Sequence, residues 1–247
     1  MKRELCALKT SAGEVSYWLG RSPRRRTMEI RIKDSLEVNV SAPTHVSDKE
    51  IKAFVALKVS WILTRLKEQR QSQHVLKKRK YENGEEFLFL GRRFPLKTVA
   101  TDKKQAGIDF DGRRWTVHIP QARVEQRPEV VVKKKLVEWY RLQAQEVLGG
   151  RIFHYARHMG LEPKKIVVRT QKRIWGSCHH GRQTINLNWL LILAPLDVID
   201  YVVVHELCHF IYADHSRRFW KKVGQVMPDF RERQNWLRRH TFDMALP

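Results

Sequence analysis

Val202-Val203-Val204-His205-Glu206-Leu207-Cys208-His209-Phe210-Ile211-Tyr212-Ala213-Asp214-His215 concentrates the chemistry of this chain. The stretch holds His-Glu-x-x-His inside a segment, Leu196 to about Ala213, whose apolar spacing after Pro195 predicts a helix. Residues i and i+4 share a helix face, so His205 and His209 can hold one cation together. Glu206 adjoins the first ligand, where its carboxylate can reach a water on the metal without occupying the metal. Zn2+ suits imidazole nitrogen at about 2.0–2.1 Å and brings the pKa of its water to about 7, and a neighbouring base then completes the nucleophile. Val202 to Val204 and Leu207 supply an apolar wall that strengthens these interactions by excluding water.

His215 follows His209 by six residues. On an unbroken helix that separation turns about 600°, leaving His215 about 120° from the ligand face and about 9 Å along the axis. His215 is a third ligand only if the helix ends between them. The pattern HExxHxxGxxH has this spacing with a glycine at the turn. Here Tyr212 takes that place, so the turn is expected at Ala213-Asp214, with Asp214 or Ser216 capping the next helix. Asp214 or Glu232 is the alternative third donor.

The rest of the chain alternates strand and helix signals, and the expected class is α+β. Val15 to Leu19, Met28 to Ile32 and Leu36 to Val40 read as strands, the last two joined through Lys33-Asp34-Ser35. Ser47 with Glu50 forms a capping-box signal for a helix running to about Gln73. Phe87 to Gly91, Phe94 to Val99 and Trp115 to Pro120 read as further strands, with Asp111-Gly112 a turn before the last. Val130 to about Met159 is helical in pattern, with a possible break at Gly149-Gly150. Ile166 to Val168 is a short strand. Ile174 to Cys178 and Thr184 to Trp189 form a hairpin, and a helix follows from Ser216. No stretch repeats another. The organisation expected is a strand-rich and helical region over 1–80 and a helical catalytic domain over 81–247, with one continuous domain as the alternative.

Cys6, Cys178 and Cys208 are far apart and odd in number, which indicates neither a disulfide framework nor a cysteine metal cluster. No run of about 18 apolar residues occurs, so no membrane span is expected. The start of the chain lacks the apolar core of a secretory signal, and the expected location is cytoplasmic. The net charge of +22 favours polyanionic partners. It is spread over separate clusters, as at Arg24-Arg25-Arg26 and Lys133-Lys134-Lys135, and no nucleic-acid-binding module accompanies it. A nucleotide or nucleic acid is therefore an open possibility for the basic surface. No GxxxxGK[ST] loop is present.

His205 to His209, followed by His215-Ser216-Arg217-Arg218-Phe219-Trp220, closely resembles the YgjP-like metallopeptidase family, itself related to SprT-like and M48-type enzymes. Arg173-Ile174-Trp175-Gly176-Ser177-Cys178 is similar to that family's RWGSC signature, with Ile174 as a departure from its usual spelling. Thr184-Ile185-Asn186-Leu187-Asn188-Trp189 resembles its I-x-L-N strand. The likeness is specific over 166–220 and looser before. It implies a zincin-like fold with a β-hairpin beside the HExxH helix, and zinc-dependent hydrolysis of a peptide or protein substrate through Glu206. It also implies that Arg173, Trp175, Ser177 and Asn188 shape the cleft. The competing structural roles are Trp175 as core, Gly176 as a bulge and Asn188 as a cap. Phe219 and Trp220 read as packing that fixes the turn carrying His215. The same family raises two alternatives at the same metal: nucleotide pyrophosphohydrolysis, and a SprT-like protease recruited to nucleic acid.

Overall fold

The computed structural model describes residues 3–33, 35–77, 79–124, 126–171, 174–241 and 243–244. The chain forms two compact units, Met1–Lys78 and Arg79–Pro247, each with its own core.

In the first unit β1 (Arg3–Thr10), β2 (Gly13–Ser22), β3 (Glu29–Ile32) and β4 (Val38–Pro43) form a sheet in the order β1-β2-β4-β3. β2 and β4 are parallel and the outer pairs antiparallel. Two helices, α1 (Asp48–Ala56) and α2 (Val59–Lys77), accompany it. α1 starts with the expected capping box: the Ser47 hydroxyl accepts from the Glu50 amide at 3.3 Å, and the Glu50 carboxylate accepts from the Ser47 amide at 2.9 Å. The single helix expected here is two, because the chain breaks at Leu57-Lys58. Periodicity could not reveal the break. Ile51, Val55, Val59 and Ile62 keep helical spacing across it, and all four are buried.

The second unit repeats this sheet. β5 (Glu86–Phe89), β6 (Arg92–Thr101), β7 (Gly107–Phe110) and β8 (Trp115–Pro120) lie in the order β5-β6-β8-β7, again with a parallel central pair. Registers match as well. The hairpin pair Thr10–Gly13 corresponds to Phe89–Arg92, and the parallel pair Ser22–Pro43 to Thr101–Pro120. β4 and β8 share one burial pattern, alternating and then closing on a proline. A topological repeat thus exists where no repeat of sequence was visible. What survives is alternation and the terminal proline, not residue identity.

After the short α3 (Gln121–Val124) comes α4 (Pro128–Met159), one unbroken helix. Gly149-Gly150 does not interrupt it. Buried residues recur every fourth position from Val132 to Ala156, so a continuous packed stripe outweighs a helix penalty of about 1 kcal/mol per glycine. β9 (Lys165–Arg169), β10 (Gly176–His179) and β11 (Thr184–Asn188) form a second sheet in the order β10-β11-β9. β10 and β11 are the expected hairpin, and β9 runs parallel to β11. The chain then makes a 3-10 segment, Trp189–Leu193, before α5 (Leu196–Cys208), α6 (Arg217–Val226) and α7 (Phe230–His240).

The start of α5 is set by the β5–β6 turn. Leu90 and Gly91 adopt φ of 48° and 77°, and their amides donate to the carbonyls of Ile192 (2.9 Å) and Leu193 (3.1 Å). A Cβ on Gly91 would lie 2.9 Å from the Pro195 Cα, so both its backbone conformation and this approach require glycine.

Candidate metal centre

α5 is an almost wholly buried helix, apolar along Val202, Val203, Val204 and Leu207. It ends earlier than its sequence suggests. The amides of His209, Phe210 and Ile211 donate to the carbonyls of Glu206, Leu207 and Cys208, so the last turn tightens from i−4 to i−3 bonding. His209 Nδ1 then lies 3.0 Å from the Tyr212 carbonyl and closes the turn. The break falls at His209 to Ile211 rather than at Ala213-Asp214. Asp214 and Ser216 keep the expected place: the Asp214 carboxylate accepts from the Ser216 amide at 3.3 Å, and α6 begins one residue later with Ser216 at its N-cap.

This early exit returns His215 to the ligand face. His205, His209 and His215 each present one ring nitrogen, and these three atoms all lie within 4.8 Å of one another. The Nε2 atoms of His205 and His215 are 3.1 Å apart. Asp214 and Glu232, the alternative donors, are outside the cluster. Phe219 is fully buried, with its ring centroid 5.0, 4.6 and 4.8 Å from those of His205, His209 and His215. Trp220 stacks on His215 at 5.7 Å, and Phe230 stacks on Trp220 at 5.4 Å. α6 thus fixes the third imidazole through an aromatic pack, as its Phe-Trp pair indicated.

The donors suit a tetrahedral ion such as zinc. Two nitrogens each about 2.0–2.1 Å from such an ion stand roughly 3.3 Å apart, close to the His205–His215 separation. The Tyr212 carbonyl takes the Nδ1 proton of His209 and leaves Nε2 as the free lone pair. Burial, followed by the neighbouring His209 and His215, pushes the pKa of His205 down to about 3, so its ring stays neutral as a ligand requires. Burial also lowers His209, against the opposing Tyr212 bond. His205 Nδ1 is buried with no hydrogen-bond partner among the described residues.

Glu206 is 5% exposed, and burial pushes its carboxyl up to about 8. It lies against β10: a Cβ on Gly176 would sit 2.7 Å from its Oε1 and 2.8 Å from its Cγ. Gly176 is therefore no bulge. It pairs in register with Leu187, and its missing side chain is the space the carboxylate occupies. Nothing in the sequence marked this contact, which joins residues thirty positions apart across two elements.

The YgjP-like metallopeptidase domain matches residues 26–240 of this sequence. The chain belongs to the YgjP-like family. Solved structures share smaller likenesses. A metallopeptidase zymogen, abylysin of Pyrococcus abyssi, is 21% identical with a TM-score of 0.34, over 36% of this chain and 90% of that one. Wss1 from Saccharomyces cerevisiae is 12% identical with a TM-score of 0.29, over 57% of this chain and 92% of that one. No curated protein matches the chain.

Of the other residues drawn from the YgjP-like likeness, Trp175, Ser177 and Asn188 do not join the histidines. Arg173 lies outside the described residues. Trp175 is half-buried against the main core, and its carbonyl accepts from the Asn188 amide at 2.8 Å. Ser177 alternates with Gly176 and so faces away from Glu206, where its hydroxyl is 3.3 Å from the Asn186 amide nitrogen. Asn188 is buried. It donates to the Gln171 carbonyl at 2.9 Å and caps the 3-10 segment by accepting from the Leu190 amide at 3.3 Å. It ties Gln171 to the start of the 3-10 segment, in line with the cap role. One contact was unforeseen: His180, at the hairpin tip, places Nδ1 3.3 Å from the His209 carbonyl.

Proposed function

We propose that this chain is a zinc-dependent peptidase in which His205, His209 and His215 hold the ion and Glu206 is the general base. The observation that carries the reading is the convergence of three imidazole nitrogens within 4.8 Å, one residue from a buried carboxylate. Zinc held by His205, His209 and His215 would supply Lewis acidity for the scissile carbonyl and for a water. Glu206 would take a proton from the attacking water and pass it to the leaving amine. A dication held by the three histidines would favour the ionised Glu206 carboxylate and oppose the effect of burial. β10 is an edge strand beside α5, so an extended peptide can add to its free side with the scissile bond over the histidines. No described helix is long and apolar enough to cross a membrane, and a protein substrate is the partner that this site fits.

The test pairs metal analysis with cleavage of a peptide library by wild type and Glu206→Gln. The reading expects one zinc in both proteins and turnover only in wild type. Wild-type turnover by Glu206→Gln, or purified protein without a transition metal, refutes it. Release of pyrophosphate from nucleotides without peptide cleavage would move the same centre to the nucleotide alternative.

A further inference from the structure

β9 forms the opposite edge of the β10-β11-β9 sheet, and among the described residues it pairs only with β11. Its sequence, Lys165-Ile166-Val167-Val168-Arg169, places three β-branched residues between cations, and all three remain half-buried. Two adjoining hollows run along this edge beside α4. One, of about 350 Å³, lies between Gly149 and Phe153 on α4 and Ile166 and Val168 on β9. The other, of about 300 Å³, shares Gln145 and Val168 and continues to Trp189. Phe153 is 64% exposed, although it sits on a long, well-packed helix. The lining carries the cations Lys164, Arg141 and Arg169, and no carboxylate.

Gly149 adds a second observation. Nothing lies within 4 Å of the position its Cβ would take, so this chain's own packing does not require glycine there. The residue costs helix stability and deepens the groove floor, where an approaching backbone needs room.

We propose that this groove receives an extended acidic segment of a protein partner, which adds to β9 as a further strand. The unpaired edge offers backbone donors and acceptors, and alternate side chains of an added strand, about 6.6–6.8 Å apart, fall into successive hollows. Carboxylates on the remaining positions meet Lys164, Arg169 and Arg141. A single-stranded nucleic acid would need a row of open rings for stacking. Phe153 is exposed, whereas Trp189 is buried with its Nε1 donated to Thr170 at 3.0 Å. The groove lies across the sheet from β10, so its occupancy does not depend on the peptidase reading.

The test uses the zinc-loaded, full-length Glu206→Gln protein and a fluorescein-labelled peptide alternating glutamate with valine, followed by fluorescence anisotropy. Saturable binding that weakens with salt is expected. It should fall about tenfold in Lys164→Glu/Arg169→Glu. It should fall similarly in Gly149→Leu, which fills the groove while favouring the helix, with melting temperature as the control for folding. A peptide N-methylated on the residues that face β9 should not bind. Absence of binding, equal binding by both variants, or equal binding of the N-methylated peptide overturns the proposal. So does oligothymidylate that displaces the peptide and weakens in the same variants. Because the readout is binding to a protein that does not turn over, its failure leaves the cleavage reading untouched.

Discussion

Gly176→Ala tests how closely Glu206, the proposed general base, is held. The backbone at Gly176 lies outside the left-handed region, so alanine is conformationally admissible. The added methyl, however, meets Glu206 Oε1 at 2.7 Å, Cγ at 2.8 Å and Cδ at 2.9 Å, where ordinary contact begins near 3.4 Å. The carboxylate must shift by about 0.5–0.7 Å, the gap between those distances and ordinary contact. Glu206 is buried, so the shift is forced onto its χ angles or onto β10, at a cost of about 1–3 kcal/mol in stability. Misplacement of a base on that scale lowers kcat on the order of 10²-fold. Zinc content should hold, because none of the three imidazoles is touched, and KM should change little. The assay is steady-state cleavage of a quenched fluorescent peptide, with zinc stoichiometry and thermal unfolding on the same preparation. Adding Gly176→Ala to Glu206→Gln should cause no further loss, since both act on one group. A folded, zinc-loaded Gly176→Ala enzyme with wild-type kcat would show that the contact does not position the base.

Three further outcomes follow from the same geometry. His215→Ala should abolish stable zinc retention by dialysis, and chelation of wild type should lower its melting temperature because zinc favours the native state by mass action. In zinc-stripped protein, folded Glu206 keeps a proton up to about pH 8 that the unfolded chain releases near pH 4.5, so wild type loses stability as pH rises through that window. The advantage of Glu206→Gln in urea unfolding should therefore grow with pH toward roughly 5 kcal/mol, and a pH-independent difference would refute the assignment. Arg151 grips buried Asp200 with two hydrogen bonds of 2.6 and 2.8 Å, and the Tyr155 hydroxyl adds a third at 3.2 Å. Arg151→Met should cost about 3–5 kcal/mol by stranding that carboxylate, and Arg151→Met/Asp200→Leu much less, both measured by denaturant unfolding.

The sequence exposed the parts of this molecule whose signals are local. His205, Glu206 and His209 share one helix turn, Ser47 and Glu50 share one cap, and β4 and β8 show their alternation directly. Elements with little buried surface were missed. β1 is largely exposed, β7 has four residues, and α7 buries Leu237 alone in a run of charged residues. The end of α5 was misplaced by several residues because its stop is tertiary: the Tyr212 carbonyl and the Phe219 ring close a turn that no glycine or proline announces. The placing of Ser177 was equally hidden, since strand pairing decides which way its side chain faces.

The duplicated sheet uses its tight turn in two ways. In the first copy Gly13 abuts Leu63 on a helix of its own unit, where a Cβ would fall 2.6 Å from the leucine Cδ1. In the second copy the equivalent turn grips the chain just ahead of α5, through the Ile192 and Leu193 carbonyls and Pro195. An ancillary hairpin therefore acts as the datum from which the ligand-bearing rod is levelled. Lengthening that hairpin by one residue would disturb the placing of His205 and His209 from a distance.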